Sequence, residues 1–393
     1  MINDIKLPDI NLLDGLCLDI NGLCSLKAAV DQASYIAATA EVRIEVSAGL
    51  YKLREALQFH LPKAYNGHQV YLIGADKLTT VIDAQKLSSH IQVDGSSGGL
   101  NISNLTFKNG SRRTAFTSSS IFPYNFGGIL SIENSIFEDN SGESVIYAGT
   151  GNLGLNIRKT VFRNNQTSMN TGTISVFSTP TSIEDTQISN NSGIGFQIKN
   201  KTIEVSIRNS TINDNGSLAV SSYQCQNCSI ENSTITNNKY GLLLTTTYNG
   251  NSASQLSFNI LNSTIVNNGD AEFGNLNTNF NQAETQVWLT NTVLANGNTG
   301  SRFNCMNLGS YSSVQAKNNL IDDTSCSVAG GGNIIGADPM LSSLLDYGGY
   351  TPTLLPLAGS PLIDHADSSS CSAHDQRGYV RSGACDIGAV EVQ

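Results

Sequence analysis

Apolar and polar residues alternate in short runs along most of this chain, and the runs recur as a ten-residue phrase. Copies begin at residues 101, 131, 156, 182, 206, 229, 259, 288 and 315, so successive copies start 23 to 30 residues apart. The copy at 131–140 reads SIENSIFEDN, and short β-branched runs cut by Asn and Gly are typical of strands joined by tight turns. A repeat of this length indicates a solenoid, in which each coil buries its apolar face against the next coil.

The positions of the phrase predict different roles. From the copy at 101–110 to the copy at 288–297 the second and seventh positions are apolar, which predicts two columns of residues facing the core. The fifth position is mostly Ser or Thr, and the ninth is Asn or Asp, which tolerate the left-handed backbone of tight turns. Stacked Asn side chains can also hydrogen-bond to their equivalents in neighbouring coils. We therefore predict an all-β chain that forms a single parallel β-helix of about ten coils.

The third position alternates in charge over five consecutive copies. The residues of this column are Glu133, Arg158, Glu184, Arg208 and Glu231. Because they follow an inward-facing residue, they should face solvent, where each charge lies one strand spacing from an opposite charge. Such pairs contribute about 0.2–1 kcal/mol each at best. The column therefore favours a surface ladder that sets the strand register, and a charged glycan-binding groove is the alternative.

Both ends of an open β-helix need caps, because they would otherwise expose unpaired strands and the apolar interior. Apolar residues at helical spacing within 24–38 predict a short amphipathic helix, with Ser25 as its N-cap. We predict three regions: residues 1–40 as an N-terminal cap with this helix, 41–335 as parallel β-helix repeats, and 336–393 as a loop-rich C-terminal cap region.

Charge and hydropathy exclude several classes of function. The formal net charge is −10 and no basic run compensates for it, which argues against binding to nucleic acid or to anionic membranes. No stretch of 18 uninterrupted apolar residues is present, so we predict no membrane span. The first residues lack a signal-peptide pattern. If the protein is exported, we expect the given chain to be its mature portion.

The eight cysteines fall into pairs that are close in sequence. The pairs are Cys17/Cys24, Cys225/Cys228, Cys305/Cys326 and Cys371/Cys385. The sequence contains neither a zinc-type arrangement of two CxxC motifs nor a redox CxxC on a helix that follows a strand. A disulfide framework in an oxidising compartment is the favoured interpretation, and buried free thiols are the alternative.

Both ends of the chain resemble a known family. LCSLKAAVDQAS at 23–34, AGLYKL at 48–53 and GADKLTTVIDA at 74–84 resemble the N-terminal signature of bacterial secreted and surface proteins named for the letters CSLREA. DPMLSSLLDYGGYTPTLLPLAGSPLID at 338–364 and DQRGYVRSGACDIGAVE at 375–391 resemble the companion choice-of-anchor Q region. The resemblance covers nearly the whole chain, and it implies export to the extracellular surface and a right-handed parallel β-helix. It implies no single activity, because fold and function separate readily.

Polysaccharide lyases and glycosidases are enzymes that β-helices of this kind resemble. A lyase needs a carboxylate-bound Ca²⁺ and a Lys or Arg that removes a proton, and a hydrolase needs two carboxylates at a defined separation. The candidate catalytic residues are Arg163 with Glu138 and Asp139 one coil away, and Lys199 or Lys201 beside Asp214. Surface contacts are the favoured interpretation of these groups. We predict no cofactor and no metal site, and Ca²⁺ is expected only if the protein is a lyase.

The longest intervals between copies predict projecting loops near 111–128, 245–255 and 270–284. Their candidate ligand-binding residues are Arg112, Arg113, Phe122, Tyr124, Phe126, Tyr248 and Phe273. Exposed aromatic rings stack well on sugars, and packing on the flank of the β-helix is the alternative. The favoured function is a secreted or cell-surface protein that binds a polysaccharide or a cell-surface ligand without catalysis. The alternatives are a polysaccharide lyase or glycoside hydrolase, and a structural stalk.

Overall fold

In the computed structural model of this chain, the repeated phrase forms two strands of a three-strand coil, and parallel strands of successive coils pair with each other. The structure describes residues 17, 24–37, 39–61, 68–95, 98–111, 119–149, 151–199, 202–223, 225–246, 256–277, 285–296, 303–306, 312–326 and 330–393. The contacts divide the chain into unit 1, Met1–Thr181, and unit 2, Ser182–Gln393. Each unit contains three parallel sheets, which we call A, B and C in the order in which the chain enters them. This confirms the prediction of an all-β parallel β-helix.

A helix precedes the first coil of unit 1. Helix α1 spans Leu26–Ile36, and the Ser25 hydroxyl accepts a hydrogen bond from the Ala28 amide at 3.1 Å. Its buried face packs against the first and third strands that follow it. This confirms the predicted capping helix. In the described part of the chain, no helix is long and apolar enough to cross a membrane.

Among the described residues of unit 1, each of the three main sheets contains five strands. Sheet A consists of β1 Val42–Val46, β4 Gln69–Gly74, β7 Gly99–Ser103, β10 Ile129–Glu133 and β14 Gly154–Arg158. Sheet B consists of β2 Gly49–Lys52, β5 Thr80–Asp83, β8 Thr106–Lys108, β11 Ile136–Glu138 and β15 Val161–Arg163. Sheet C consists of β3 Leu57–Leu61, β6 Ile91–Gly95, β9 Ser119–Phe126, β13 Ser144–Ala148 and β17 Gly172–Phe177. A small two-stranded sheet pairs β12 Ser141–Gly142 with β16 Gln166–Thr167.

Unit 2 repeats the same order of sheets. Sheet A consists of β18 Thr181–Glu184, β21 Thr202–Arg208, β24 Cys225–Glu231, β27 Leu256–Leu261, β30 Thr285–Thr290 and β33 Ser312–Lys317. Sheet B consists of β19 Gln187–Ser189, β22 Thr211–Asn213, β25 Thr234–Thr236, β28 Thr264–Val266, β31 Val293–Ala295, β34 Leu320–Ile321 and β35 Ile334–Ile335. Sheet C consists of β20 Ile194–Lys199, β23 Leu218–Tyr223, β26 Tyr240–Thr246, β29 Ala271–Asn277 and β32 Phe303–Met306. With five described sheet A strands in unit 1 and six in unit 2, the number of coils differs slightly from the predicted ten.

The two apolar columns form the core, as the pattern predicts. In sheet B of unit 1, Phe107, Phe137 and Phe162 are fully buried, and their ring centroids are 4.9 Å apart in both stacked pairs. The β-strand register aligns each phenylalanine with the next. Identical residues therefore stack along the core instead of interdigitating, because parallel in-register strands bring equal repeat positions together.

Turns of the coil use two left-handed residues per phrase. The ninth position has positive φ in seven copies, for example 55° at Asp139, which confirms its predicted role. The fourth position does the same, for example 45° at Asn134. The ladder of asparagines lies one residue later than the ninth position. Asn140 donates to Asn165 at 2.9 Å in unit 1, and both side chains are almost fully buried.

Four of the five residues of the charged column form the predicted ion pairs across strands, whereas Glu184 forms no ion pair among the described residues. Arg158 lies opposite Glu133 and forms an ion pair with it in unit 1. In unit 2, Arg208 Nε lies 3.2 Å from Glu231 Oε2. These four side chains are 22–57% exposed, so each pair sets register more than it adds stability.

The C-terminal region lies along the outer face of sheet B in unit 2. Buried Gln376 donates to the hydroxyls of Thr211 and Thr351 at 2.9 Å each, and accepts from Thr234 at 2.6 Å. Further along the sheet, an apolar cluster covers β28, β31 and β34. Its buried members are Val266, Val293, Ala295, Leu320, Leu354, Leu362 and Ile387. This region is loop-rich and clipped by a disulfide, as predicted.

All four predicted disulfide pairs are formed. The bonds join Cys17 to Cys24, Cys225 to Cys228, Cys305 to Cys326 and Cys371 to Cys385. The structure contains no free cysteine among its described residues. A disulfide-bonded chain is typical of an oxidising compartment.

Candidate functional site

A single tryptophan stands on the outer face of sheet A in unit 2. Side chains of a strand alternate between its two faces, so Val287 and Leu289 point into the core and are fully buried, whereas Trp288 between them is 37% exposed. Trp288 occupies the first position of its repeat. We call the outer face of β24, β27, β30 and β33 the Trp288 face.

The first-position residues on neighbouring strands are short and polar. The register places Asn259 and Gln315 beside Trp288 on the two adjacent strands, and Ser229 follows beyond Asn259. Asn259 and Gln315 are exposed. Within the described part of the chain, neither amide is engaged in a hydrogen bond. The column therefore presents one aromatic ring between two amides that can donate and accept hydrogen bonds.

The charged groups on the Trp288 face are already paired. Glu231 pairs with Arg208, and Lys317 Nζ lies 2.5 Å from Asp367 Oδ2 of the C-terminal region. The hydrogen bond from Lys317, together with those from Ser370 and Ser369, holds the pKa of Asp367 well below its ordinary value. Among the described side chains on these four strands, no other charged group faces outward. The face is thus polar but nearly neutral.

The corresponding face of unit 1 is occupied by its own side chains. Tyr71 lies on β4, and the Arg43 guanidinium stacks 5.3 Å from the centre of its ring. Beside it, Asn101 donates to Gln69 at 2.9 Å. Trp288 has no such stacked cation among the described residues. An aromatic ring that is available to a ligand therefore distinguishes sheet A of unit 2.

The structure places the candidate catalytic residues in different settings. Arg163 donates to Glu138 Oε2 from Nε at 3.0 Å and from Nη2 at 2.7 Å, so these two residues form an ion pair across β11 and β15. Asp139 is the left-handed residue of the next turn. This arrangement is a cross-strand ion pair at the surface, which contributes little stability.

The second catalytic group spans two sheets. Lys199 ends β20 of sheet C, whereas Asp214 follows β22 of sheet B and accepts a hydrogen bond from Asn213 at 2.6 Å. Asp214 is also a left-handed turn residue. Lys201 lies outside the described residues.

The candidate ligand-binding residues of the predicted loops lie outside the described residues, either wholly or in their side chains. Arg112, Arg113 and Tyr248 lie outside the described residues. The side chains of four further candidates also lie outside them, although their backbones belong to strands. These are Phe122, Tyr124 and Phe126 in β9, and Phe273 in β29. Their role in ligand binding stays a prediction.

A cavity of about 380 Å³ lies beneath the C-terminal region of unit 2, lined in part by Asp322, Asp338 and Pro339. Asp322 accepts a hydrogen bond from Asn304 Nδ2 at 2.6 Å, and Asp323 accepts one from the backbone N–H of Asn304 at 2.9 Å. The two carboxylates therefore hold β32, the strand that contains Asn304, in place. In the described ranges, no cluster of three His, Cys, Asp or Glu side chains could hold a metal ion.

Buried titratable groups serve the fold. His90 is fully buried beside Phe107, and burial lowers its pKa to about 4. In the C-terminal region, burial raises the pKa of Asp386 and of Glu391 and lowers that of Arg381. Arg381 donates to the Gly388 carbonyl at 2.8 Å and so ties the last loop together.

The sequence did contain a signal for Trp288. The first position of the phrase is Asn, Ser or Gln in every other copy except this one, where the only tryptophan of the chain replaces it. A large aromatic residue at an outward position that is otherwise polar is a departure from the pattern, and exposed apolar surface of this kind can mark a binding site. Neither the length of the loops nor the pattern of charges reveals this departure.

Fold and surface together define a parallel β-helix protein in which Trp288 is exposed on a nearly neutral, polar sheet face, as far as the described residues show. A family model described as "Right handed beta helix region" matches residues 89–258. Among proteins with curated descriptions, none matches this sequence.

Two solved structures share the fold. The mannuronan C-5 epimerase AlgE6 A-module of Azotobacter vinelandii is 17% identical with a TM-score of 0.51, over 80% of this chain and 94% of that chain. The pectate lyase Pel9A is 16% identical with a TM-score of 0.52, over 95% of this chain and 92% of that chain. Similarity at this level of identity establishes a common fold and does not extend to a common site.

Proposed function

We propose that this chain is an exported β-helix protein that binds a polysaccharide on the Trp288 face. The observation that carries the proposal is Trp288, 37% exposed on the outer face of the sheet, between two side-chain amides that form no hydrogen bond among the described residues. The apolar face of a sugar ring stacks on an aromatic ring, and sugar hydroxyls exchange hydrogen bonds with side-chain amides. A rigid sheet also holds these groups in place before the ligand arrives, which reduces the entropic cost of binding.

Export is supported by the disulfides. Four disulfide bonds persist in a secreted or surface environment, whereas a reducing cytosol would keep such cysteines as thiols. The resemblance of both chain ends to CSLREA and choice-of-anchor Q proteins points the same way. The names of the two structural neighbours, an epimerase of mannuronan and a lyase of pectate, support a polysaccharide as the ligand.

Trp288 provides its own spectroscopic test, because it is the only tryptophan of the chain. We expect a bound polysaccharide to shift its emission to shorter wavelength and to protect it from quenching by acrylamide. The probes are soluble β-glucan, mannan, alginate and polygalacturonate, titrated into the full chain. Failure of all four to change emission or quenching would refute the proposal.

Substitutions separate stacking from mere exposure. Trp288→Ala should weaken binding about tenfold or more, measured by calorimetry, and Trp288→Phe should retain a larger part of the affinity. Tyr350→Ala is the matched control, since Tyr350 is 61% exposed but lies in the C-terminal region. Equal losses in Trp288→Ala and Tyr350→Ala would contradict the assignment of the site.

The same samples test the enzymatic alternative. New unsaturated ends would identify a lyase, and new reducing ends a hydrolase. Turnover that requires added Ca²⁺ would favour the lyase. Binding without either product is the result that we expect.

A further inference from the structure

We infer that the Trp288 face selects an uncharged, extended polysaccharide whose chain crosses the strands, with one sugar for each of β24, β27, β30 and β33. This inference rests on the proposed function. It names the chemical class of the ligand and its direction on the sheet.

The direction follows from the spacing of the first-position column. Ser229, Asn259, Trp288 and Gln315 lie opposite one another on successive strands. Neighbouring strands are about 4.8 Å apart, and one sugar of an extended β-1,4-linked chain advances by a similar distance. A glycan that crosses the strands therefore meets one first-position side chain at every sugar. A glycan parallel to a strand would instead meet Gln286, Trp288 and Thr290, which are about 6.6 Å apart, so the spacing of its sugars would not match.

The chemistry of the column fixes what each sugar meets. Asn259 and Gln315 flank the indole on either side, so a sugar stacked on Trp288 has a hydrogen-bonding amide under each neighbouring sugar. Ser229 offers a hydroxyl to a fourth sugar. The column thus contains four contact positions, of which the third from Ser229 is the apolar platform.

The charge balance excludes an anionic polymer as the preferred ligand. A uronate chain needs unpaired Lys or Arg side chains, because a desolvated carboxylate is costly without a partner. Lys317 is already bound to Asp367, and Arg208 to Glu231. The protein as a whole has a net charge of −10, which repels polyanions at low salt. A neutral sugar needs no charged partner, so the pairing of Lys317 and Arg208 with carboxylates does not weaken its binding.

Oligosaccharide series test both parts of the inference with Trp288 emission as the readout. The probes are β-1,4-linked gluco- and manno-oligosaccharides of two to six sugars, and oligogalacturonates of the same lengths. We expect affinity for a neutral series to rise by severalfold per sugar up to about four sugars and then to level off. The uronate series should bind at least tenfold more weakly at low ionic strength.

Two column variants and one matched control complete the test. Asn259→Ala and Gln315→Ala should each weaken binding of the four-sugar ligand about fivefold or more and change binding of the two-sugar ligand less. Asn156→Ala is the control, because Asn156 is an exposed asparagine at the same repeat position in unit 1. It should leave affinity unchanged.

The outcomes distinguish this inference from the proposed function. Uronate oligomers that bind as tightly as neutral ones would overturn the ligand class while leaving polysaccharide binding intact. Neutral oligomers whose affinity does not depend on length, or column variants that behave like Asn156→Ala, would overturn the direction. No response of Trp288 to any sugar would refute the proposed function itself.

Discussion

Replacing Asn238 by alanine should destabilise unit 2 by about 3–5 kcal/mol, which is a large part of the stability of a typical domain. Asn238 is 2% exposed. Its Oδ1 accepts from the amide nitrogen of Asn215 at 3.0 Å and from Asn215 Nδ2 at 2.9 Å. Its Nδ2 donates to the Ile212 carbonyl at 2.9 Å and to Asn268 Oδ1 at 3.0 Å. With alanine at position 238, the groups of Asn215, Ile212 and Asn268 stay buried but lose the Asn238 side chain as their partner. Each buried group without a partner costs about 1–3 kcal/mol, and a group that keeps a second partner costs less.

The neighbouring Asn237 is the matched control for this prediction. It is exposed, with φ of 58°, so it serves the backbone turn and not the buried ladder. Asn237→Gly keeps the left-handed conformation accessible and should change stability by less than about 1 kcal/mol. Urea unfolding followed by circular dichroism measures both variants, and hydrogen exchange locates the loss near β25. The ladder argument is wrong if Asn238→Ala costs no more than Asn237→Gly.

Three further predictions concern other parts of the molecule. His90 has a pKa of about 4 in the folded protein and about 6.5 in the unfolded chain, so the unfolded chain binds a proton first as the pH falls. The free energy of unfolding should therefore fall by about 3 kcal/mol from pH 6.5 to pH 4. In urea titrations, His90→Gln should remove this pH dependence. Phe137 lies in the middle of the buried phenylalanine stack, so Phe137→Ala should lower the free energy of unfolding by about 3–5 kcal/mol in the same assay. Ile129 is partly exposed, and a loss of stability in Phe137→Ala no larger than that in Ile129→Ala would contradict the packing argument. Replacing Cys371 and Cys385 together by serine should cost about 2–4 kcal/mol of unfolding free energy, measured under oxidising conditions, where an unchanged midpoint would disprove a stabilising clip.

The core of this fold could be predicted from sequence because equal repeat positions meet in space. A strand in parallel register places position two on position two and position seven on position seven, so one phrase specifies every coil. The ion pair of Arg158 with Glu133 follows from the same register. The disulfides could be predicted for a different reason, because each links cysteines that are close in sequence.

Other features depend on contacts that the phrase does not contain. The ninth and tenth positions are both rich in asparagine, and only the side-chain direction shows that the tenth, as in Asn238, points inward to form the ladder. Trp288 could have been singled out as a departure from a polar column. The sequence could not show that its ring is available to a ligand, because contacts between coils decide this. In unit 1, for example, Arg43 from one coil stacks on Tyr71 of the next coil.

The eighth position of the phrase explains why one sheet is open in unit 1 and covered in unit 2. In unit 1 this outward position is charged and accessible, whereas in unit 2 it is buried and, except at Asp322, uncharged. The unit 1 residues are Lys108, Glu138 and Arg163, and the uncharged unit 2 residues are Ser189, Asn213, Thr236, Val266 and Ala295. The change in polarity follows the path of the C-terminal region, which seals sheet B of unit 2 through Gln376 and the apolar cluster around Leu362.

This cover restricts where unit 2 can bind a ligand. A charged residue at a covered position loses its water and needs a partner in return. Asp322, the charged residue at this position in unit 2, has one, because it accepts a hydrogen bond from Asn304 Nδ2 at 2.6 Å. The outer face of sheet B is then filled by the chain itself and is closed to a polysaccharide. Among the described residues, the outer face of sheet A keeps Asn259, Trp288 and Gln315 exposed, and Lys317 pairs with Asp367 at the border where the C-terminal region meets this sheet. The segment that closes one sheet therefore also neutralises the edge of the Trp288 face, which is why the open face of unit 2 is suited to an uncharged ligand.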